Sequence, residues 1–326
     1  MLLSIIIVNY KVRELLKQCL HSIYASTLKE DIEIFVVDND SNDNCINYLQ
    51  PIFPKVKYIQ SNENIGFARA NNLAINQASG KYILLLNPDT FIGEHVLENT
   101  VQFMEKNPKT GALGVKMIDN SGHFLPESKR GFPTMWVSFC KLSGLNSLFK
   151  NSRLFGKYHL RYLDENQPHE VDILCGAYML LRHEAIREVG SLDEKFFMYG
   201  EDIDLSYRIQ KSGWKIQYLP TKILHYKGES AHKNDLHYVK IFFDAMYIFY
   251  RKHFPKYNLL YLCLVKLGMI VGQTLLFCKK RIQRIAKRKN KKQKIFVYPS
   301  QSFEEIIDEI EQRKSLNEDN KIIIKQ

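Results

Sequence analysis

The chain has no paired-cysteine motif. Its six cysteines, Cys19, Cys45, Cys140, Cys175, Cys263 and Cys278, are scattered, with no CxxC and no histidine beside them at ligand spacing. That excludes a disulfide framework and a zinc knuckle, and it fits a reducing compartment. No GxGxxG follows the first apolar run, so the phosphate cradle of a dinucleotide-binding dehydrogenase is missing. The apolar start MLLSIIIVNY has no basic residue before it and no small-residue cleavage site after it. It reads as a buried strand rather than a signal peptide, and the folded part is expected to stay in the cytoplasm. Acidic residues are absent from KKRIQRIAKRKNKKQK, residues 279–294, which holds ten Lys and Arg and supplies nearly all of the formal net charge of +11. A binding tail is implied rather than a uniformly basic protein.

The 326 residues are 45% apolar, enough for one large α/β domain or two small ones. Up to about residue 120, short apolar runs alternate with helical periodicity: Leu3 to Val8 then 12–25, Ile32 to Val37 then 43–50, Val56 to Ile59 then 67–79, Tyr82 to Leu86 then 94–107, and Ala112 to Met117. Continuous apolar runs spaced by helices predict a mainly parallel sheet covered on both faces, with ligands at the carboxyl ends of the strands. Polar residues cluster at those ends: Asn9 and Tyr10, then Asp38, Asn39 and Ser41, then Asn87, Pro88 and Asp89. Asp38 is placed to accept from a nucleobase imide or a ribose hydroxyl, although DNDSND is equally good Asx-turn and cap chemistry. In NENIGFARANN, Asn64, Gly66 and Asn71 offer amides and a close backbone approach for a diphosphate, or else simply start a helix.

Between 120 and 170 the signals weaken to a connector or acceptor-side insertion with a helical patch at 134–148. DILCGAYMLLRHEAI then reads as a strand and helix, and DEKFFMYGEDIDLSYRIQKSGWKI as a loop, helix and strand carrying the second half of a site. Residues 236–256 interleave aromatics with bases, and 258–278 are long enough to cross a bilayer. Lys266 lies inside that stretch, where a centred lysine costs roughly 2.5–3.5 kcal/mol, so a helix lying in the interface is expected rather than a span. Each base of the following run contributes about 1 kcal/mol near an anionic leaflet. A last amphipathic helix is predicted to start at Ser302, with Glu305 completing a capping box. The expected division is 1–235, a catalytic domain; 236–294, aromatic and apolar helices with a polybasic membrane-associating segment; and 295–326, an amphipathic helix and tail.

The first strand, the Asp ending the second, the NxGFAxANN segment, Asn87-Pro88-Asp89 and Glu201-Asp202 together resemble glycosyltransferase family 2, rhamnosyltransferase-like branch, over residues 3 to 230. The resemblance implies a GT-A nucleotide-sugar-binding fold with a C-terminal membrane-associated extension. It also implies an inverting single displacement with Mg²⁺ or Mn²⁺. By the same resemblance Asp202 is the base and Glu201 orients hydroxyls. Asn9, Tyr10, Asp38, Asn39, Ser41, Asn64, Gly66, Asn71, Asn87 and Asp89 bind the nucleotide sugar, and Asp89 and His225 hold the metal; Gly176, Tyr199 and Trp214 read either as sugar or acceptor contacts or as core packing. Most members carry Asp at the position of Asn87. The implied donor is dTDP-rhamnose, with a UDP-hexose, UDP-galactofuranose or UDP-N-acetylhexosamine as alternatives. The implied acceptor is a polyprenyl-diphosphate-linked saccharide at the cytoplasmic face of the cell membrane. A nucleic-acid partner is not expected, because the basic run adjoins an apolar helix and lacks interleaved stacking aromatics.

Overall fold

Alternation within each apolar run decides which of two layers a side chain enters. Strand β1 (Leu3–Asn9) sends Leu3, Ile5 and Ile7 into one core and Ile6 and Val8 into another, and β4 (Tyr82–Leu86) divides the same way, with Tyr82, Leu84 and Leu86 against Ile83 and Leu85. Both strands are buried on both faces, which is why their sequences are unbroken apolar runs. The computed structural model describes residues 1–28, 31–226, 236–255, 263, 267, 294–297, 302–315 and 321–324.

Helices α1 (Arg13–Tyr24), α2 (Cys45–Leu49) and α4 (Val96–Lys106) close the first core; α3 (Phe67–Ile75), α7 (His183–Val189) and α8 (Glu201–Lys211) close the second. The remaining strands are β2 (Ile32–Asn39), β3 (Lys57–Ser61), β5 (Thr90–Ile92), β6 (Thr110–Ile118), β7 (His169–Glu170), β8 (Tyr178–Arg182) and β9 (Lys215–His225). Helices α5 (Met135–Leu142) and α6 (Leu145–Leu148) occupy the segment between β6 and β7, where the sequence predicts a helical patch. The predicted alternation through residue 118 is borne out; the three-residue β5 escapes it.

The sheet order is β3-β2-β1-β4-β8-β6-β9-β5, with β7 on β9. Pairings β1–β2, β2–β3, β1–β4 and β6–β9 are parallel, but β4–β8, β6–β8, β5–β9 and β7–β9 are antiparallel. The expectation of a mainly parallel sheet is therefore corrected to a mixed one. Two-sided burial produces the same apolar run whichever way a strand points, so composition carried no information about direction.

Helix α9 (Leu236–His253) lies against the domain: Phe249, Tyr250 and Met246 pack with Phe196 and Ile203 against the start of α8. Among the described residues no helix is long and apolar enough to cross a membrane. The apolar stretch 258–278 and the basic run 279–294 lie outside the described residues, apart from Cys263, Leu267 and Lys294.

The predicted cap at Ser302 is present. In helix α10 (Phe303–Ser315), Glu305 N–H donates to Ser302 Oγ at 3.2 Å and Ser302 N–H donates to Glu305 Oε2 at 2.9 Å. The helix docks on the domain: Ile306, Ile307 and Ile310 bury themselves with Phe91, Ile118 and Leu224. Two four-residue strands, β10 (Lys294–Val297) and β11 (Lys321–Ile324), pair in parallel and were not anticipated. Truncating Ile306 to Ala should lower the unfolding free energy by about 2–4 kcal/mol, the usual loss for a buried Ile. A urea midpoint unchanged from wild type would show that α10 does not hold to the domain.

Candidate active site

Because β1, β2 and β4 run in parallel, their carboxyl ends meet at one edge of the sheet, and a cleft of about 640 Å³ opens there. From the first half of the chain Tyr10, Asn39, Asn64, Gly66, Asn87 and Asp89 line it. The second half contributes Gly176, Tyr199, Glu201, Asp202 and His225. Residues far apart in sequence thus converge as the sequence implies.

The meeting of Asp89 and His225 follows from strand register. Strand β5 pairs antiparallel with β9, Thr90 opposite His225, and Tyr226 N–H donates to the Asp89 carbonyl at 3.0 Å. The carboxylate Oδ1 then lies 3.3 Å from His225 Nε2, both residues buried. His225 Nδ1 is buried without a hydrogen-bond partner among the described residues. A carboxylate oxygen and an imidazole nitrogen 3.3 Å apart at the cleft could together hold a divalent cation. Asn87 contributes an amide where a second carboxylate would strengthen the site. Its backbone N–H donates to Ala177 O at 3.0 Å, tying the turn to the segment before β8.

Five expected contacts do not line the cleft. Asn9 Nδ2 is a donor hub behind it, reaching Ser41 Oγ at 2.9 Å and the carboxylates of Asp38 and Asp43 at 3.3–3.5 Å. Asp38 also accepts from Ser41 N–H at 3.2 Å and from Gln60 Nε2 at 3.0 Å. Asp38 thus makes the Asx-type turn contact, and Asn9, Asp38 and Ser41 brace the ends of β1 and β2. Asp38, Asp43 and Cys45 offer ligand atoms within 4.8 Å of one another. The Asn9 amide donates to both carboxylates. Asn71 Nδ2 donates back to Phe67 O at 2.8 Å within its own helix. Trp214 sits before the amino end of β9, whereas His225 closes its carboxyl end; 11 residues of strand put roughly 30 Å between them. The indole donates to Glu188 Oε2 at 2.8 Å instead.

Next to the cleft, the Asn39 and Asn64 amides are joined at 3.0 Å, and Asn64 Oδ1 also accepts from Gly66 N–H at 3.1 Å. Gly66 has φ +82°, and a Cβ there would collide with the Phe197 carbonyl. Its close approach is to the chain itself, which lets Phe67 N–H reach Phe197 O at 2.7 Å.

Two consecutive left-handed residues, Tyr199 (φ 68°) and Gly200 (φ 88°), turn the chain sharply into α8. Three acids follow in its first turn, stabilised by the helix dipole. They meet three environments. Asp202 Oδ2 accepts from Arg130 Nη2 at 2.5 Å, and the same guanidinium also donates to the Leu174 carbonyl. Glu201 is buried, with Oε2 unpartnered among the described residues; burial, reinforced by the Asp202 charge, pushes its carboxyl up to about 8. Asp204 is fully buried; burial alone would raise it, but hydrogen bonds from His253 and Lys252 and the charge of Arg208 outweigh that and hold it down at about 2.

Arg130, Lys141, Tyr158 and His159 also face the cleft and were not singled out from the sequence. All four come from the weakly patterned stretch 120–170, where a lone Arg in KRGFP carries no periodicity or motif. Burial, aided by the charge of Lys141, pulls the His159 imidazole down to about 3, so it is neutral there.

The raised Glu201 carboxyl has a testable sign. Folded Glu201 keeps its proton while the unfolded chain releases one near its ordinary value, so this residue's contribution to stability falls as pH rises from about 4.5 to about 8. Glu201→Gln should match wild type in thermal midpoint near pH 4 and exceed it progressively towards pH 8. Every tenfold change in proton affinity corresponds to about 1.4 kcal/mol, so the gain is a few kcal/mol. Parallel pH profiles for the two proteins would show that Glu201 is ionised in the fold.

Residues 4–190 match the family model for glycosyl transferase family 2. The N-acetylglucosaminyl-diphospho-decaprenol L-rhamnosyltransferase of Mycobacterium tuberculosis is 25% identical over 266 residues, covering 76% of this chain and 83% of that protein. The S. aureus TarS 1-349 structure is similar with TM-score 0.50 at 17% identity, covering 76% of this chain and 64% of that one, so less than two thirds of the TarS fragment is matched. The mannosyltransferase PcManGT from Pyrobaculum calidifontis, in complex with GDP-Man and Mn²⁺, gives TM-score 0.53 at 15% identity over 86% of this chain and 75% of that one. At such identities the structural likeness shows the fold, a GT-A-like α/β domain with a mixed sheet. The family match spans more than half of the sequence: the chain belongs to glycosyl transferase family 2 and is a glycosyltransferase.

Proposed function

We propose that the chain is an inverting enzyme that moves rhamnose from dTDP-rhamnose to a saccharide carried on a polyprenyl diphosphate, at the cytoplasmic face of the cell membrane. The observation that carries the reaction type is a single cleft holding both the Asp89–His225 pair and the Asp202 carboxylate. The choice of sugar and acceptor is supported by the name of the Mycobacterium tuberculosis relative. A UDP-hexose, UDP-galactofuranose or UDP-N-acetylhexosamine donor is the competing assignment.

Asp202 takes the proton from the acceptor hydroxyl as its oxygen attacks the anomeric carbon and the bond to the nucleoside diphosphate breaks. Arg130 holds the carboxylate beside the cleft by a charge-assisted hydrogen bond. Glu201, carrying its proton, donates a hydrogen bond to a sugar hydroxyl, a role an ionised carboxylate could not fill. A divalent cation held by Asp89 and His225 would neutralise charge on the departing diphosphate.

Incubating the purified chain with dTDP-rhamnose, UDP-hexoses, UDP-N-acetylhexosamines and GDP-sugars, with Mg²⁺ or Mn²⁺ and a membrane extract as acceptor source, should consume one donor. Asp202→Asn should lower kcat by about 10² to 10⁴, the usual worth of a general base, while leaving donor affinity near wild type. Equal turnover by the variant would remove Asp202 from that role, and no turnover of any donor by the wild type would favour a binding module. Asp89→Asn and His225→Ala should each weaken nucleoside-diphosphate binding in the presence of Mn²⁺ but not in EDTA. Calorimetry showing equal losses in both conditions would place the cation elsewhere.

A further inference from the structure

The segment 128–163, between β6 and β7, contains no Asp or Glu but seven Lys and Arg. Within it Trp136, Leu148, Phe149 and Leu154 stand 45%, 73%, 47% and 57% exposed. These side chains do not scatter. Trp136 lies 5.8 Å from Phe139 and 5.9 Å from Phe155, and Phe155 lies 5.2 Å from Phe149, ring centre to ring centre. Lys150, Arg153 and Lys157 are exposed in the same stretch. A contiguous exposed apolar patch marks an interaction surface. Tryptophan and phenylalanine tips among bases, without acids, match an anionic lipid surface, whose headgroups take the charges while the rings enter the acyl boundary.

Two further features place this surface. Lys141, Tyr158 and His159 of the same segment line the cleft, so whatever covers the patch lies beside the acceptor wall. The end of α9 packs there too: Tyr250 OH donates to the Pro133 carbonyl, and Phe254 stacks near Phe132 with ring centres 6.1 Å apart. The described end of this helix thus lies beside the start of the segment, and in sequence the apolar and polybasic residues 258–294 follow.

We propose that the exposed face of residues 134–157 docks on an anionic lipid bilayer, setting the cleft at the membrane where a lipid-linked acceptor is met. This extends the proposed acceptor and rests on that assignment for its purpose, though not for its test.

The chain has two tryptophans, one in the patch and one at the far end of β9. Full-length Trp214→Phe, which leaves Trp136 as the sole tryptophan, should show quenching of its selectively excited emission by vesicles of brominated phosphatidylcholine and phosphatidylglycerol. The reciprocal Trp136→Phe protein, reporting from Trp214, should show none. Replacing the exposed Leu148, Phe149 and Leu154 by Ser should cut partitioning into the same vesicles about tenfold with the basic run intact, since binding scales with buried apolar area. Its thermal midpoint should match wild type, because these side chains are solvent-facing.

Unquenched Trp136 while the protein sediments with vesicles would overturn the proposal and assign binding to residues 258–294 alone. So would Trp136 emission that responds to a single-stranded oligoribonucleotide and not to lipid. Neither readout involves sugar transfer. A protein that docks but transfers nothing fails only the functional assignment; one that glycosylates a water-soluble acceptor with Trp136 unquenched fails only this one.

Discussion

Strand β8 is the member the rest of the fold depends on. It runs against both of its neighbours, β4 and β6, and without it the parallel β3-β2-β1-β4 block would end in an unpaired edge next to a separate β6-β9 pair. Buried backbone groups need partners, so the two blocks are locked together by the ladders they share. The same strand fixes the cleft. The residues leading into it, Cys175, Gly176 and Ala177, form its floor, and Ala177 holds the Asn87 turn by a main-chain bond.

Legibility in the sequence tracked how local each physical signal was. Burial on two faces makes an unbroken apolar run, so β1, β2 and β4 and the helices between them could be bounded to within a few residues. Strand direction leaves no such trace, and the antiparallel insertion of β8 was invisible. Helix chemistry worked where it was short-range: Ser302 and Glu305 form the reciprocal cap that their spacing implies. Asp89 and His225 could be named only through resemblance, because their contact depends on a β5–β9 register that no neighbouring residues encode. Arg130 had no signal at all. Trp214 stayed open between core and ligand because a tryptophan near a strand end suits either, and the distance along β9 decides the matter only once the strand's orientation is known.

The acidic start of α8 shows why composition alone underdetermines chemistry. Glu201, Asp202 and Asp204 share one helical turn and one dipole, yet each meets a different partner set. A guanidinium from the insertion faces Asp202, burial raises the Glu201 carboxyl, and a cluster of Arg208, Lys252 and His253 fixes Asp204. The last of these couples α9 to α8. Helix α9 supplies countercharges that let an ionised carboxylate sit fully buried.

The side chains on one wall of the cleft, Glu127 through His159, belong to one uninterrupted stretch of chain between β6 and β7, whereas the wall bearing Asp89 is assembled from sheet edges and short turns. The two walls are therefore under unequal constraint. Changing the turns disturbs strand pairing on both sides, while the stretch can lengthen, shorten or exchange its aromatic and basic tips with its anchor points held at Arg130 and Ile173. On the function proposed above, with the acceptor against the 127–159 wall, divergence in what the protein glycosylates is decoupled from divergence in what it takes the sugar from, and new acceptor preferences can arise as a single-segment replacement on an unchanged donor frame.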